Sequence, residues 1–108
     1  MWQILFNEDH RGNNRALDYI NSLSPRDKVK VSNTLRLLEE FGTALAMPHA
    51  RHIEGKLWEL RPDNNRLFYC LYNGKQFVVL HGFRKKTMQT PEKEIQIALR
   101  RMDELLEK

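Results

Sequence analysis

Cysteine is nearly absent from the chain, since Cys70 is the only one among 108 residues. A single thiol excludes a disulfide-stapled scaffold, and its place in the apolar stretch LFYCLY predicts a buried thiol in a reducing cytoplasm. No apolar run approaches the roughly 18 residues that span a bilayer, and the N-terminal residues lack the basic and apolar parts of a signal peptide. The sequence therefore predicts a cytoplasmic protein without a membrane anchor.

Several sequence signatures of enzymes are also missing. The chain contains neither of the glycine-rich loops that bind nucleotides, GxGxxG and GxxxxGKS, nor the GxSxG turn of serine hydrolases. His49 and His52 are three residues apart but have no evident third ligand, so we expect no metal site. Repeats and Ser/Gly linkers are absent, and the apolar fraction of 41% suits a single domain over residues 1–108.

Basic residues are concentrated in one part of the chain. The formal net charge is +4, yet residues 49–86 contain eight Lys or Arg against three acids, and the remainder sums to −1. Clustering of this kind suits a polyanionic partner and predicts salt-sensitive binding.

The apolar spacing predicts seven elements in the order β-α-α-β-β-β-α. A strand near Trp2–Phe6 precedes two helices, and the second helix begins at Ser24-Pro25 and ends at Phe41-Gly42. After a loop at 43–52, the spacing of the apolar residues changes from a helical period to the two-residue period of strands. This predicts three strands, at 57–61, 66–72 and 75–83. A last helix opens at Thr90-Pro91. This is an α+β domain with a central antiparallel sheet, an N-terminal helical hairpin and a C-terminal helix.

Turn lengths predict which residues are paired in the sheet. A two-residue turn at Asn73-Gly74 places Arg66 opposite His81, and a four-residue loop at 62–65 places Arg61 opposite Arg66. The three basic side chains would then form a row on one face. Two opposed arginines repel, so either the row binds an anion, or Glu59 or Asp63 neutralises it, or the loop is misjudged and the arginines are apart.

The same register divides the apolar residues between the two faces. One face is expected to receive Trp58, Leu60, Leu67, Tyr69, Leu71, Val78 and Leu80. The face with the basic row would receive Phe68, Cys70, Phe77 and Val79, covered by the C-terminal helix. The run Arg84-Lys85-Lys86 follows the third strand of this group, where it is either a solvated loop or part of a phosphodiester pocket beside the row.

Three separated motifs resemble the RelE/ParE superfamily of type II toxins, and more closely its HigB or phage Gp49-like branch. They are KLWELRPDNNRLFY, LHGFRKKT and TPEKEIQIALRRM. The resemblance implies a RelE-like microbial RNase fold and a ribosome-dependent mRNA endonuclease that needs neither metal nor cofactor. It also implies a helix-turn-helix, HigA-like antitoxin, which binds operator DNA in the complex.

The expected site combines the motif matches at Arg61, Arg66, Lys85 and Lys86 with His81 from the basic row and with other residues of the basic segment 49–86. The catalytic candidates are Arg61, Arg66, His81, Lys85 and Lys86. The candidates for RNA contact are Arg51, Lys56, Arg84 and Tyr72. His81 is the expected base in attack of the RNA 2′-OH, with Glu59 as the alternative. Two other functions remain open, namely a ParE-like gyrase inhibitor on the same fold and a non-catalytic nucleic-acid-binding regulator.

Overall fold

The chain folds as an α+β domain, and the computed structural model describes residues 1–107. In chain order the elements are β1 (Gln3–Phe6), α1 (Arg15–Asn21), α2 (Pro25–Phe41), a 3₁₀ turn (Gly42–Ala44), β2 (Ala50–Glu54), β3 (Leu57–Leu60), β4 (Asn65–Asn73), β5 (Gln76–Arg84) and α3 (Glu92–Leu106). The predicted order is confirmed except for β2, which begins inside the segment expected to be a loop. β2 is an edge strand with mostly exposed side chains, so it shows little apolar alternation.

The ends of the N-terminal helices follow from their capping residues. The side-chain oxygen of Asn14 accepts a hydrogen bond from the Leu17 amide at 3.2 Å, and the Ser24 hydroxyl accepts one from the Asp27 amide at 3.3 Å. At the other end of α2, Gly42 has φ 55°, and a Cβ there would lie 2.0 Å from the Trp2 ring. A glycine is therefore required where α2 turns toward the sheet.

The five strands form one mixed sheet in the order β1-β5-β4-β3-β2. β3, β4 and β5 are antiparallel neighbours, as expected, and β2 adds a fourth antiparallel strand beside β3, but β1 lies parallel to β5 with Gln3 opposite Gln76. The sheet is therefore not wholly antiparallel. Periodicity along the chain identifies a strand but does not show which edge of the sheet receives it.

The two predicted hairpin registers have different outcomes. Between β3 and β4 the pairs run from Trp58–Tyr69 to Leu60–Leu67, and this is the register that the four-residue loop predicts. Between β4 and β5 the prediction is wrong, because Asn73 pairs with Gln76 and the register then shifts at two irregularities. As a result, Phe68 lies opposite His81, and Arg66 lies opposite Phe83.

The two irregularities lie at Tyr72 and Leu80, and the residues of β5 between them are out of phase with the predicted pairing, which changes which side chains are buried together. Leu80 forms a β-bulge, since it has no partner between the pairs Tyr69–Val79 and Phe68–His81. Residues on the two sides of the bulge therefore alternate in opposite phase. Val78 and Leu80 contribute to the core beneath α3, whereas Phe77 and Val79 face α1 and α2, the reverse of the expected faces.

The sheet separates two apolar cores. α1 and α2 cover one face, where Val31, Leu38, Leu60, Leu67 and Tyr69 are buried. α3 covers the other, where Phe68 and Cys70 are fully buried, as predicted. Leu71, expected in the first core, is 39% exposed. None of the helices within residues 1–107 is long and apolar enough to cross a membrane.

Candidate active site

A buried carboxylate, Glu59, lies among three arginines at the N-terminal end of α3. Its Oε1 is 3.5 Å from Arg51 Nη2 and 3.8 Å from the Nε atoms of both Arg61 and Arg66. The glutamate side chain is 1% exposed, whereas Arg51 is 43% and Arg61 22% exposed. We call these three arginines around Glu59 the arginine cluster.

Strand pairing explains why the arginine cluster forms. Arg51 lies directly opposite Glu59 on β2, so both side chains point to the face of the sheet that α3 covers. Arg61 follows the end of β3, and Arg66 is near the start of β4, on the two sides of the loop at 62–65. The β3–β4 register therefore brings Arg61 and Arg66 together, as the sequence predicts.

Glu59 resolves the alternatives left open for the two opposed arginines. It lies between them, whereas the Asp63 carboxylate pairs with Lys30 Nζ at 2.9 Å. One carboxylate against three guanidinium groups leaves a local positive surplus. The charge faces solvent mainly through Arg51 and Arg61, so the site can neutralise an anion and keep its own buried charge paired.

Arg66 is held rigidly at the floor of the site. Its Nη1 donates to the backbone oxygens of Asp63 at 2.6 Å and Asn65 at 2.9 Å. Burial lowers the pKa of Arg66, which Glu59 opposes and the positive charge of Arg61 reinforces. A side chain with 8% exposure and two backbone anchors presents its charge in a fixed place.

Lys85 is the lysine of the basic run that lies beside the arginine cluster. Its backbone amide donates to the Asn64 oxygen at 2.7 Å, which fixes the chain at the start of the loop after β5. Partial burial, followed by the nearby charges of Arg66 and Arg61, lowers the pKa of its ammonium group. Lys85 is therefore a better proton donor than an ordinary surface lysine. Lys86, the next residue, is exposed.

Thr90 belongs to the site, although the sequence suggested only a helix start there. Its hydroxyl accepts a hydrogen bond from Arg51 Nη2 at 3.0 Å and donates one to Glu59 Oε2 at 3.1 Å. The residue before Pro91 is thus tied to the arginine cluster from the α3 side. The Thr-Pro pair indicates a helix boundary but carries no signal for this contact.

His81 lies behind the site, not within it. Its Nδ1 accepts a hydrogen bond from Arg101 Nη1 at 3.1 Å, so Nε2 carries the proton and donates to Glu94 Oε1 at 2.9 Å. The ring is stacked with Phe68 and Phe83 and is only 13% exposed. Burial lowers its pKa, and Glu94 opposes the shift. The expected row of Arg61, Arg66 and His81 is wrong, because the turn pairs Asn73 with Gln76 and this register places His81 opposite Phe68.

The remaining predicted contacts are spread over the surface. Arg84 points toward α2, where its Nη1 is 3.2 Å from Asp27 Oδ2. Lys56 and Tyr72 are at the other end of the sheet, beside an apolar groove that includes Trp58 and Phe77. Of the four residues expected to contact RNA, the structure brings only Arg51 to the arginine cluster.

The chemistry of the site is that of oxyanion binding. Three guanidinium groups and one lysine lie close together there, and guanidinium groups match phosphate oxygens in geometry and charge. Within residues 1–107 no group of three or more His, Cys, Asp or Glu side chains is arranged to hold a metal ion.

Comparison with known proteins identifies a family to which the chain is similar. The family model described as "Phage derived protein Gp49-like (DUF891)" matches residues 18–103, which include β2 to β5 and the whole arginine cluster. No curated protein matches the chain.

Proposed function

The chain belongs to the phage-derived Gp49-like family, within the RelE/ParE-like toxin superfamily, and on this premise we propose that it is a HigB-like mRNA endonuclease. The observation that carries the proposal is the arginine cluster with Lys85, which assembles positive charge around one buried carboxylate. Superfamily members of the RelE type are endoribonucleases, and a site of this charge suits a phosphodiester substrate.

The proposed reaction is an intramolecular transfer within RNA. The 2′-oxygen attacks the adjacent phosphorus, the bond from phosphorus to the 5′-oxygen breaks, and the products are a 2′,3′-cyclic phosphate and a 5′-hydroxyl. Arg51 and Arg61 bind the non-bridging oxygens, where negative charge grows in the transition state, and Arg66 supports them from beneath. Lys85 gives its proton to the leaving 5′-oxygen.

The proton of the 2′-hydroxyl passes to solvent in this scheme. Glu59 is a poor acceptor because it is 1% exposed and faces three guanidinium groups. His81 does not accept the proton in this scheme, since its ring nitrogens are engaged by Glu94 and Arg101. Catalysis then depends on charge stabilisation and on placement of the RNA, and the ribosome would supply much of that placement.

The toxin family implies an antitoxin partner. We propose that this partner is a HigA-like helix-turn-helix protein that also binds operator DNA. Co-expression of the chain with a small helix-turn-helix protein encoded beside it should restore growth, and the two proteins should purify together. Failure of such a protein to bind would contradict this part of the proposal.

The deciding test compares the wild type with Arg61→Ala and with Arg36→Ala, an exposed substitution on α2, outside the arginine cluster. After induced expression, primer extension on cellular mRNA should show cuts in the wild type and in Arg36→Ala. Removal of one transition-state interaction should reduce cleavage by Arg61→Ala on the order of a hundredfold. Intact mRNA with DNA damage would instead indicate a ParE-like gyrase inhibitor. Growth without arrest would contradict a toxin function and favour a non-catalytic nucleic-acid-binding regulator.

A further inference from the structure

A second group of arginines lies outside the arginine cluster. Arg11 in the loop after β1, Arg15 at the start of α1, and Arg100 and Arg101 on α3 line one polar cavity of about 540 Å³. We call it the arginine pocket. Its residues come from distant parts of the chain, and none of them belongs to the proposed cleavage site.

Among the described residues, the positive charge of the arginine pocket is not held in close ion pairs, in contrast to that of the arginine cluster. Within residues 1–107, none of its four guanidinium groups has a carboxylate oxygen within 4.0 Å. Two acids, Asp9 and Glu104, also line the cavity. Asp9 Oδ1 accepts the amide hydrogens of Arg11 and Asn13, both at 2.9 Å, so one of the two carboxylate oxygens is held by the loop backbone.

Arg101 is fixed within the arginine pocket. Its Nη1 donates to the Leu80 oxygen at 2.9 Å, an oxygen at the β5 bulge, and to His81 Nδ1 at 3.1 Å. Burial, followed by the charges of Arg15 and Arg100, lowers its pKa. The fold therefore holds like charges near one another around an anchored guanidinium group, an arrangement that an anion would relieve.

The lining of the cavity favours a nucleic acid over a protein as the source of that anion. Leu80 is the only apolar residue among those that line it. The centres of protein–protein interfaces are apolar and aromatic, whereas nucleic-acid interfaces are polar and strongly basic. Guanidinium groups also match phosphate oxygens in pairs.

We propose that the arginine pocket binds backbone phosphates of RNA at a position separate from the cleavage site. The identity of the ligand as RNA rests on the proposed function. Thr90 and the arginine cluster are at the N-terminal end of α3, whereas Arg100 and Arg101 are in its later turns. The nine steps from Glu92 to Arg101 rise about 14 Å along the helix. One phosphate cannot bridge the two sites, but a strand of several nucleotides can contact both.

The test measures RNA binding without cleavage. The probe is a short single-stranded RNA with 2′-O-methyl riboses, which lack the attacking hydroxyl. The double variant Arg15→Ala/Arg100→Ala changes two exposed residues of the arginine pocket, and Arg26→Ala/Arg36→Ala removes the same charge from exposed positions on α2. Circular dichroism checks that both variants are folded, and fluorescence anisotropy gives the affinity at several salt concentrations.

We expect the arginine-pocket variant to bind RNA on the order of tenfold more weakly than the α2 control at low salt. The slope of log affinity against log salt should fall by about 0.7 for each phosphate that the variant no longer neutralises. Equal affinity and slope in the two variants would overturn the inference. So would weaker binding with an unchanged slope, or a polyglutamate peptide that binds at the arginine pocket while RNA does not.

These outcomes are distinct from those of the cleavage test. A protein that leaves mRNA intact but shows the expected drop in RNA affinity would refute the proposed function and support the arginine pocket. Cleavage of mRNA together with equal RNA binding by the two double variants would support the proposed function and refute the inference about the arginine pocket.

Discussion

Glu59 is the residue that allows three arginines to share one place. Without its carboxylate, Arg51, Arg61 and Arg66 would face each other with no internal counter-charge. Removal of one partner from a buried ion pair is costly because the other charge remains buried and unpaired. Glu59 therefore stabilises the fold and positions the arginines at the same time.

We expect Glu59→Gln to lower the free energy of unfolding by about 2–3 kcal/mol, below the range for a fully buried pair because Arg51 is 43% exposed. Urea denaturation measures the change. Asp63→Asn, which removes the exposed carboxylate beside Lys30, is the matched control and should have little effect. Equal stability of Glu59→Gln and wild type would show that the arginine cluster does not depend on this carboxylate.

The lowered pKa of Lys85 predicts how the rate of RNA cleavage changes at alkaline pH. Its folded pKa is below the ordinary 10.5, so the proton donor is lost as pH rises through that lowered value, and cleavage should decline there. Lys85→Arg stays protonated and should move the decline to higher pH, with a lower maximum rate. Single-turnover cleavage of RNA measures both effects, with Lys28→Arg on α2 as the control. An alkaline decline at the same pH in Lys85→Arg would exclude Lys85 as the proton donor.

Individual site residues are predictable where a short turn determines the pairing. The loop at 62–65 predicts that Arg61 and Arg66 lie together, and the β3–β4 register agrees. The role of Thr90 is not predictable in this way, because its contact with Glu59 depends on how α3 packs across the sheet. The prediction for His81 is wrong because the turn pairs Asn73 with Gln76 and not Tyr72 with Lys75, a displacement that the Asn-Gly signal does not show.

At the scale of elements, α1 packs against β5 at a position where a side chain does not fit. A Cβ on Gly82 would lie 2.5 Å from the Tyr19 ring. The Tyr19 hydroxyl in turn donates to the side-chain oxygen of the buried Asn65, next to Arg66. The close approach at Gly82 thus links the position of α1 to the start of β4, where Arg66 of the arginine cluster lies.

Gly82→Ala should therefore destabilise the protein by about 1–3 kcal/mol, because the added methyl group pushes the Tyr19 ring away from the sheet. Thermal unfolding measures the change. Gly74→Ala is the matched control, since a Cβ there meets nothing within 4 Å and should leave the stability near that of wild type. A Gly82→Ala protein as stable as Gly74→Ala would contradict the close contact.

The elements themselves are largely predictable from the sequence, and their pairing is less so. Capping residues such as Asn14 and Ser24 and the stop at Gly42 fix the helices locally. β2 is an edge strand without clear alternation, and β1 pairs with a strand far along the chain. Both features depend on tertiary contacts that a local pattern does not contain.

At the scale of the whole molecule, stability should depend on pH through His81. Its folded pKa is lowered by burial, so below its ordinary value of 6.5 the unfolded chain binds a proton that the folded protein excludes. The stabilisation is complete above about pH 6.5 and is lost as pH falls toward the folded pKa, at up to about 1.4 kcal/mol per pH unit.

Replacement of His81 by glutamine should flatten this part of the stability profile. Urea midpoints between pH 7 and pH 5 measure the slope, and His10→Gln, an exposed loop substitution, is the control. A slope in His81→Gln as steep as in wild type would mean that other groups cause the acid dependence.

The charge distribution also differs between the sequence and the molecule. By segment, the positive excess belongs to residues 49–86, and the remainder is close to neutral. In the folded chain, Arg11 and Arg15 meet Arg100 and Arg101 in the arginine pocket. A sum over segments cannot show this pocket, because its charges are cancelled in the sum by acids that lie elsewhere on the surface.

The pairing of β1 has a consequence for the order of events during synthesis. β1 is the first strand to emerge from the ribosome, yet its partner residues run from Gln76 to Val79 of β5. Most of the domain must therefore be translated before the N-terminal strand can dock, and contacts so distant in sequence slow folding. Because Thr90 is made later still, a nascent chain of this protein cannot complete its arginine cluster before residue 90 has been added and has left the ribosome.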